Sequence, residues 1–202
     1  MEILKYLAVV IGSYLLGSVS FSIIMSRLLG GDVRQKGSGN AGATNMARVY
    51  GWVPGILTWL LDVLKTIVCT WLGQRLLGDW GLAAAGAACI TGHCFPIYYG
   101  FKGGKGVSVG CALALMIDLR VFAAVMAVFL VVAFLSKKVS LASVTATTSI
   151  LLFAPLFGVS LPRFLLAVCG VLFIDLRHRG NIKRLLQGTE PDFKAAKREK
   201  KA

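Results

Sequence analysis

The chain has 202 residues, 56% of them apolar and only 15% charged, with a net charge of +13 and a mean hydropathy of +0.75. A soluble domain carries about a quarter charged residues, so this composition predicts an all-α polytopic membrane protein with no separate soluble domain of any size. The positive charge does not indicate nucleic acid, because the basic residues collect in loops between apolar spans and in the tail, where they suit cytoplasmic faces and anionic membrane lipids.

The first apolar run starts behind Glu2 and Lys5 and outlasts a signal-peptide core of about 7–15 residues, so a retained helix is predicted over 3–29. Tyr14, Gly17, Ser18, Ser20 and Ser22 make its second half polar, which directs that half toward other helices. A loop is predicted over 30–49, containing GSGNAGATN at 37–45. Further spans are predicted at 54–77, 82–98, 107–117, 121–136, 141–157 and 164–176. The alanine-rich run 83–88 suits close backbone packing. Several of these spans are shorter than the ~20 residues that cross a bilayer, so polar flanks complete them or some are re-entrant. The count is about seven, with five or six as the alternative. The five cysteines form no CxxC pair and read as small buried hydrophobes.

Charge sets the expected topology. Arg27, Arg34, Lys36 and Arg48, then Lys102 and Lys105, then Lys137 and Lys138, then the tail fall on one side. That side is predicted to be cytoplasmic, which puts the N-terminus outside and the C-terminus in the cytoplasm. Residues 1–190 read as one transmembrane domain and 191–202 as a basic cytoplasmic tail. Three polar islands, at 37–45, 92–108 and 177–190, then share one membrane face.

The island at 92–108, GHCFPIYYGFKGGKGVS, sets Lys102 and Lys105 among Gly100, Gly103, Gly104 and Gly106. Glycine lets backbone N–H groups converge and lysine supplies charge, so the expected ligand is an anion. It is no Walker A loop, since Gly106 follows Lys105 where a Ser/Thr would hold magnesium. In GSGNAGATN, Gly37, Gly39 and Gly42 alternate with Ser38, Asn40, Thr44 and Asn45, a density of donors that can wrap phosphate oxygens. Arg48 can add a bidentate contact. Asp62 and Lys65 lie one helical turn apart and are expected to pair inside the bundle and support the site. His93 and His178 are the only histidines. Neither opens a His-x4-Asp arrangement, and no His/Cys/carboxylate cluster predicts a metal. His93 reads as a structural, supporting residue, and His178, among Arg177, Arg179 and Asn181, as an anion contact. Lys183 and Arg184 fit a basic anchor, whereas Asn181, Gly188, Thr189 and Glu190 do not need to be there for one. A site of this kind, without metal or cofactor, works by positioning and charge stabilisation.

Together these three islands resemble the signature segments of the bacterial acyl-phosphate-dependent glycerol-3-phosphate acyltransferases, in the same order. YLLGS at 14–18, LLDVLK at 60–65 and VSLAS at 139–143 are similar to that family as well. The resemblance implies a seven-span bundle that moves a fatty acyl group from acyl phosphate to glycerol 3-phosphate at the cytoplasmic face of the inner membrane. It also implies that Ser38, Arg48, Lys105, His178 and Asn181 contact the substrates' phosphate groups, with Thr44 and Asn45 alongside and the glycine loops as backbone donors. The substrate's own phosphate would accept the hydroxyl proton. Thr66 and Ala41 depart from the family pattern. From another class, a transporter of anionic solutes would also use intramembrane polar groups, but it would place them at the midplane and show an internal repeat. A lipid-binding membrane protein without activity would have no use for the density of polar groups at 37–45.

Overall fold

In the computed structural model, residues 1–194 are described; the rest of the predicted tail lies outside the described residues. The helices are α1 (Glu2–Gly17), α2 (Phe21–Leu28), α3 (Ala43–Tyr50), α4 (Trp52–Cys94), α5 (Val107–Ile117), α6 (Leu119–Ser136), α7 (Val139–Leu156) and α8 (Leu161–Leu186). Two 3-10 turns, Val33–Gln35 and Ile97–Tyr99, sit in the connections. Helix is the form in which an apolar chain satisfies its own backbone in lipid.

The 43-residue α4 is two passes. Leu77 and Gly78 leave helical geometry, Gly78 with φ of 63°, and the chain doubles back on itself. The two arms approach so closely that a Cβ on Gly73 would strike the carbonyl oxygen of Gly81. Counted this way, and with α1 and α2 as one broken pass, the described residues form seven helical passes, and four helices among them are by themselves long and apolar enough to cross a membrane.

Small residues set the packing. A Cβ on Gly17 would strike the Cys89 backbone, and one on Gly92 would strike Tyr14 O. This close approach locks α1 along the second arm of α4. The main core lies between that arm, α5 and α8, where Leu82, Ile90, Val109, Leu113, Leu166 and Ile174 are buried. A smaller cluster of Ile23, Val33, Ala41 and Met46 lies under the loop after α2. On α6, Leu130, Phe134 and Leu135 are exposed, as a lipid-facing helix requires.

Three boundaries differ from expectation. The first span is broken at residues 18–20, where Lys65 Nζ donates to the carbonyls of Gly17 (3.1 Å) and Val19 (2.7 Å). The same ammonium pairs with Asp62 at 2.8 Å, both side chains buried, so the break is stabilised from the first arm of α4. The predicted loop 30–49 contains α3, which places Thr44, Asn45 and Arg48 on a helix. The last helix runs ten residues past the predicted end at 176, to Leu186. Lys183 and Arg184 in its final turn suit the negative end of the helix dipole.

Candidate active site

A cavity of about 680 Å³ opens where the three polar islands meet. Its polar wall comes from the loop before α3 and α3 itself (Gly37, Ser38, Asn40, Gly42, Thr44, Arg48), the start of α5 (Lys105, Gly106, Ser108) and the end of α8 (His178, Asn181). Its apolar wall is formed by Ile56 and Trp59 of α4 with Phe129 of α6 and Val139 of α7.

Asn45 organises the first island. Its Oδ1 accepts from Ser38 N–H (2.9 Å), and its Nδ2 donates to the carbonyls of Val33 (3.0 Å), Lys36 (2.9 Å) and Asn40 (3.1 Å). This side chain was expected to bind phosphate, yet every polar atom on it is committed to the loop. Its task is to fix the turn that presents Ser38. Gly37 and Gly39 adopt φ of 60° and 72°; Gly39 is a turn residue outside the cavity lining. Asn45→Ala is expected to lower stability by about 1–3 kcal/mol through the orphaned carbonyls and amide, and to raise KM for the ligand that this loop helps to hold. Thermal unfolding and initial rates measured on the same preparation check both.

Arg48 reaches the cavity with its guanidinium 5.9 Å from the Phe193 ring and has no hydrogen-bond partner among the described residues. Lys105 Nζ donates to Asn181 Oδ1 at 2.5 Å, and Asn181 Nδ2 donates to Glu190 Oε1 at 2.6 Å. Glu190 also accepts from Ser140 (2.7 Å) and Arg184 (2.7 Å). Burial pushes Lys105 down to about 8, against the pull of Glu190's charge. Burial would raise the Glu190 carboxyl, but hydrogen bonds from Ser140, Asn181 and Arg184 hold it below its ordinary value. Glu190 is therefore an ionised brace for Asn181 and, through it, for Lys105.

His178 Nδ1 lies 2.8 Å from the carbonyl of Ile174. A carbonyl only accepts, so Nδ1 carries the ring hydrogen and Nε2 offers a lone pair.

The second island is rearranged relative to expectation. Lys102 is exposed and lies outside the cavity lining. Gly103 and Gly104 turn their carbonyls to Arg177, at 3.1 Å each, and Gly104 N–H donates to His93 O, so that amide is not offered to an anion. The element of this island that faces the cavity is instead the N-terminus of α5, where Gly106 with φ of 84° caps the helix and lines the cavity with Val107 and Ser108, a position at which a helix can receive an anion. Asp62 and Lys65 lie behind the wall, and His93, whose ring nitrogen is 3.3 Å from Lys65 Nζ, reaches the lining.

Sequence reading passed over Trp52, Trp59, Phe129 and Phe193. A uniformly apolar helix carries no mark of which face meets a cavity and which meets lipid. Ser140 and Ser143 fall in VSLAS, a segment singled out only by resemblance. Pro191 and Phe193 close the cavity from the tail side; Phe193 N–H donates to Lys137 O at 3.0 Å and its ring packs edge-on against Trp52.

The sequence model of the family described as Glycerol-3-phosphate acyltransferase matches residues 7–188. A Glycerol-3-phosphate acyltransferase of Halalkalibacterium halodurans is 46% identical over 191 residues, covering 90% of this chain and 92% of the relative. One from Aquifex aeolicus is 40% identical over 192 residues, covering 94% and 100%. The crystal structure of PlsY, an integral membrane glycerol 3-phosphate acyltransferase, in its glycerol 3-phosphate form superposes with a TM-score of 0.90 at 38% identity, covering 94% of this chain and 96% of that one. Its lysophosphatidic acid form gives a TM-score of 0.88. The seven-pass bundle, the cavity built from its three polar islands and these matches over nearly the whole chain agree: the chain belongs to the glycerol-3-phosphate acyltransferase family.

Proposed function

We propose that this acyltransferase takes its acyl group from acyl phosphate. It transfers the group to glycerol 3-phosphate, releasing 1-acyl-glycerol 3-phosphate (lysophosphatidic acid) and phosphate, as the first acylation in phospholipid synthesis. The observation that carries the reading is the two-walled cavity. Arg48, Lys105 and the α5 N-terminus offer positive charge and donors for phosphate groups, while Ile56, Trp59 and Phe129 offer an apolar wall for a fatty chain. The glycerol 3-phosphate and lysophosphatidic acid forms of the structural relative match the acceptor and the product.

In this mechanism Ser38, Arg48 and Lys105 hold the phosphate groups, and Asn181 orients Lys105. The lone pair on His178 Nε2 accepts a hydrogen bond from the non-reacting hydroxyl of glycerol 3-phosphate and so orients the acceptor. The attacking hydroxyl's oxygen forms a bond to the acyl carbonyl carbon, the carbon–oxygen bond to phosphate breaks, and the departing phosphate takes the proton. Among the described residues Glu190 is the one carboxylate in the cavity lining, and three donors already occupy it. That favours a donor whose leaving group serves as its own base, and acyl phosphate is such a donor.

We place the protein in the bacterial inner membrane with the cavity on the cytoplasmic side, the N-terminus outside and the C-terminus inside. The basic loops 30–49 and 100–106 support that orientation. The catalytic domain we propose runs slightly beyond residue 190, because Phe193 lines the cavity.

The test uses purified protein in lipid with glycerol 3-phosphate and either palmitoyl phosphate or palmitoyl-CoA. Lysophosphatidic acid from the phosphate donor alone is expected. Product from the CoA donor alone would overturn the donor assignment.

A further inference from the structure

His93 occupies the last turn of α4, is 5% exposed, and its ring lines the cavity. Its Nδ1 lies 3.3 Å from Lys65 Nζ and 3.7 Å from Asp62 Oδ1. The longer separation is beyond hydrogen-bond reach, so the ammonium decides the tautomer. An ammonium offers only hydrogens. The nitrogen facing it must present its lone pair, which leaves the ring hydrogen on Nε2.

That ammonium is itself immobile. Two of its hydrogens go to Gly17 O and Val19 O and the third faces His93 Nδ1, while Asp62 Oδ1 at 2.8 Å balances its charge without a hydrogen bond among the described residues. The buried pair therefore fixes both the place and the tautomer of the ring. Nε2 has no hydrogen-bond partner among the described residues and stands over Gly104, where an added Cβ would strike it. Glycine at 104 is what allows the ring this position at the cavity wall. The carbonyl oxygen of Ala41 flanks the same spot.

We propose that His93 is a substrate-contacting residue, donating its Nε2 hydrogen to an oxygen of the bound substrates, either a phosphate oxygen or the acyl carbonyl oxygen. The inference rests on the acyl-transfer reading above. It gives the two histidines opposite tasks: His178 turns a lone pair to the cavity, and His93 turns a hydrogen. Asp62 and Lys65 are positioning residues that act through His93.

Wild type, His93→Leu and His93→Gln are compared in lipid nanodiscs with glycerol 3-phosphate and the acyl donor that wild type uses. Turnover by wild type tests the underlying reading by itself. His93→Leu is expected to lose roughly 10- to 100-fold in kcat/KM, while His93→Gln, whose amide can place an N–H near the Nε2 position, stays within about threefold of wild type. Full activity in His93→Leu, or equal losses in both variants, would overturn the proposal.

A spectroscopic measurement separates contact from mere support. With only two histidines in the chain, 15N-histidine NMR resolves each ring, and His93→Gln assigns them. The expected result is an Nε2–H tautomer for His93 whose Nε2 signal moves when glycerol 3-phosphate is added. An Nδ1–H tautomer, or an Nε2 signal unmoved at saturating glycerol 3-phosphate with its hydrogen on Ala41 O, would overturn it.

Discussion

Lys105→Ala is expected to lower kcat/KM for glycerol 3-phosphate acylation by roughly 100- to 1,000-fold, the range seen when one preorganised donor is removed from a site of developing charge. Two losses combine. The substrates lose a half-buried cation beside the α5 N-terminus, and Asn181 Oδ1 loses the hydrogen it accepts at 2.5 Å. Glu190, Ser140 and Arg184 keep their own bonds, so the fold should survive and thermal unfolding should move little.

The same residue predicts a pH limb. Burial brings Lys105 down to about 8, and the protonated form is the cation the site uses. It is therefore charged below that value and neutral above it. Because kcat/KM reports the free enzyme, it should hold level up to neutral pH and fall as pH rises through about 8. Lys105→Arg supplies a guanidinium that stays charged across this range, so its profile should lose that limb even if its turnover is lower. A wild-type profile that stayed level well above pH 9, by direct assay of lysophosphatidic acid, would show that the charge of Lys105 is not what the reaction needs.

Much of this arrangement can be read from residue order, and the parts that cannot have specific causes. Apolar runs gave the passes because a span in lipid must be long and unbroken, and basic loops gathered the three islands on one face. The break at residues 18–20 has no proline or glycine signature at its centre. It exists because Lys65, forty-five residues or more away, supplies donors to the freed carbonyls. The helix within the 30–49 loop is hidden because GSGNAGATN has the composition of coil, and only the four bonds of Asn45 show it to be rigid. Glycine density at 100–106 marks a close approach without saying which backbone group faces it. At Gly103 and Gly104 it is the carbonyls, turned to Arg177, and the cavity lining begins only at Lys105 and Gly106. Composition thus marked the islands that line the cavity, while the direction of each polar group came from contacts distant in sequence.

Asp62 and Lys65 should show the largest effect on stability. Their ion pair at 2.8 Å is buried among the passes, and removing one partner of such a pair costs about 3–5 kcal/mol because the other charge is left uncompensated. The two variants are not equivalent. Lys65→Met strands the Asp62 carboxylate, frees His93 Nδ1, and leaves the carbonyls of Gly17 and Val19 without donors. Asp62→Asn strands one ammonium that still has two carbonyls to bond. Unfolding temperature in detergent should therefore fall in the order wild type, Asp62→Asn, Lys65→Met. Adding Asp62→Asn to Lys65→Met should raise the unfolding temperature again, because it removes the stranded charge; the coupling expected for two groups in one network is about 0.5–3 kcal/mol. Recovery should stop short of wild type, since the two carbonyls at the α1–α2 break remain unmet. A double variant less stable than Lys65→Met alone would mean that the pair contributes through its separate contacts, and that no stranded charge governs this part of the bundle.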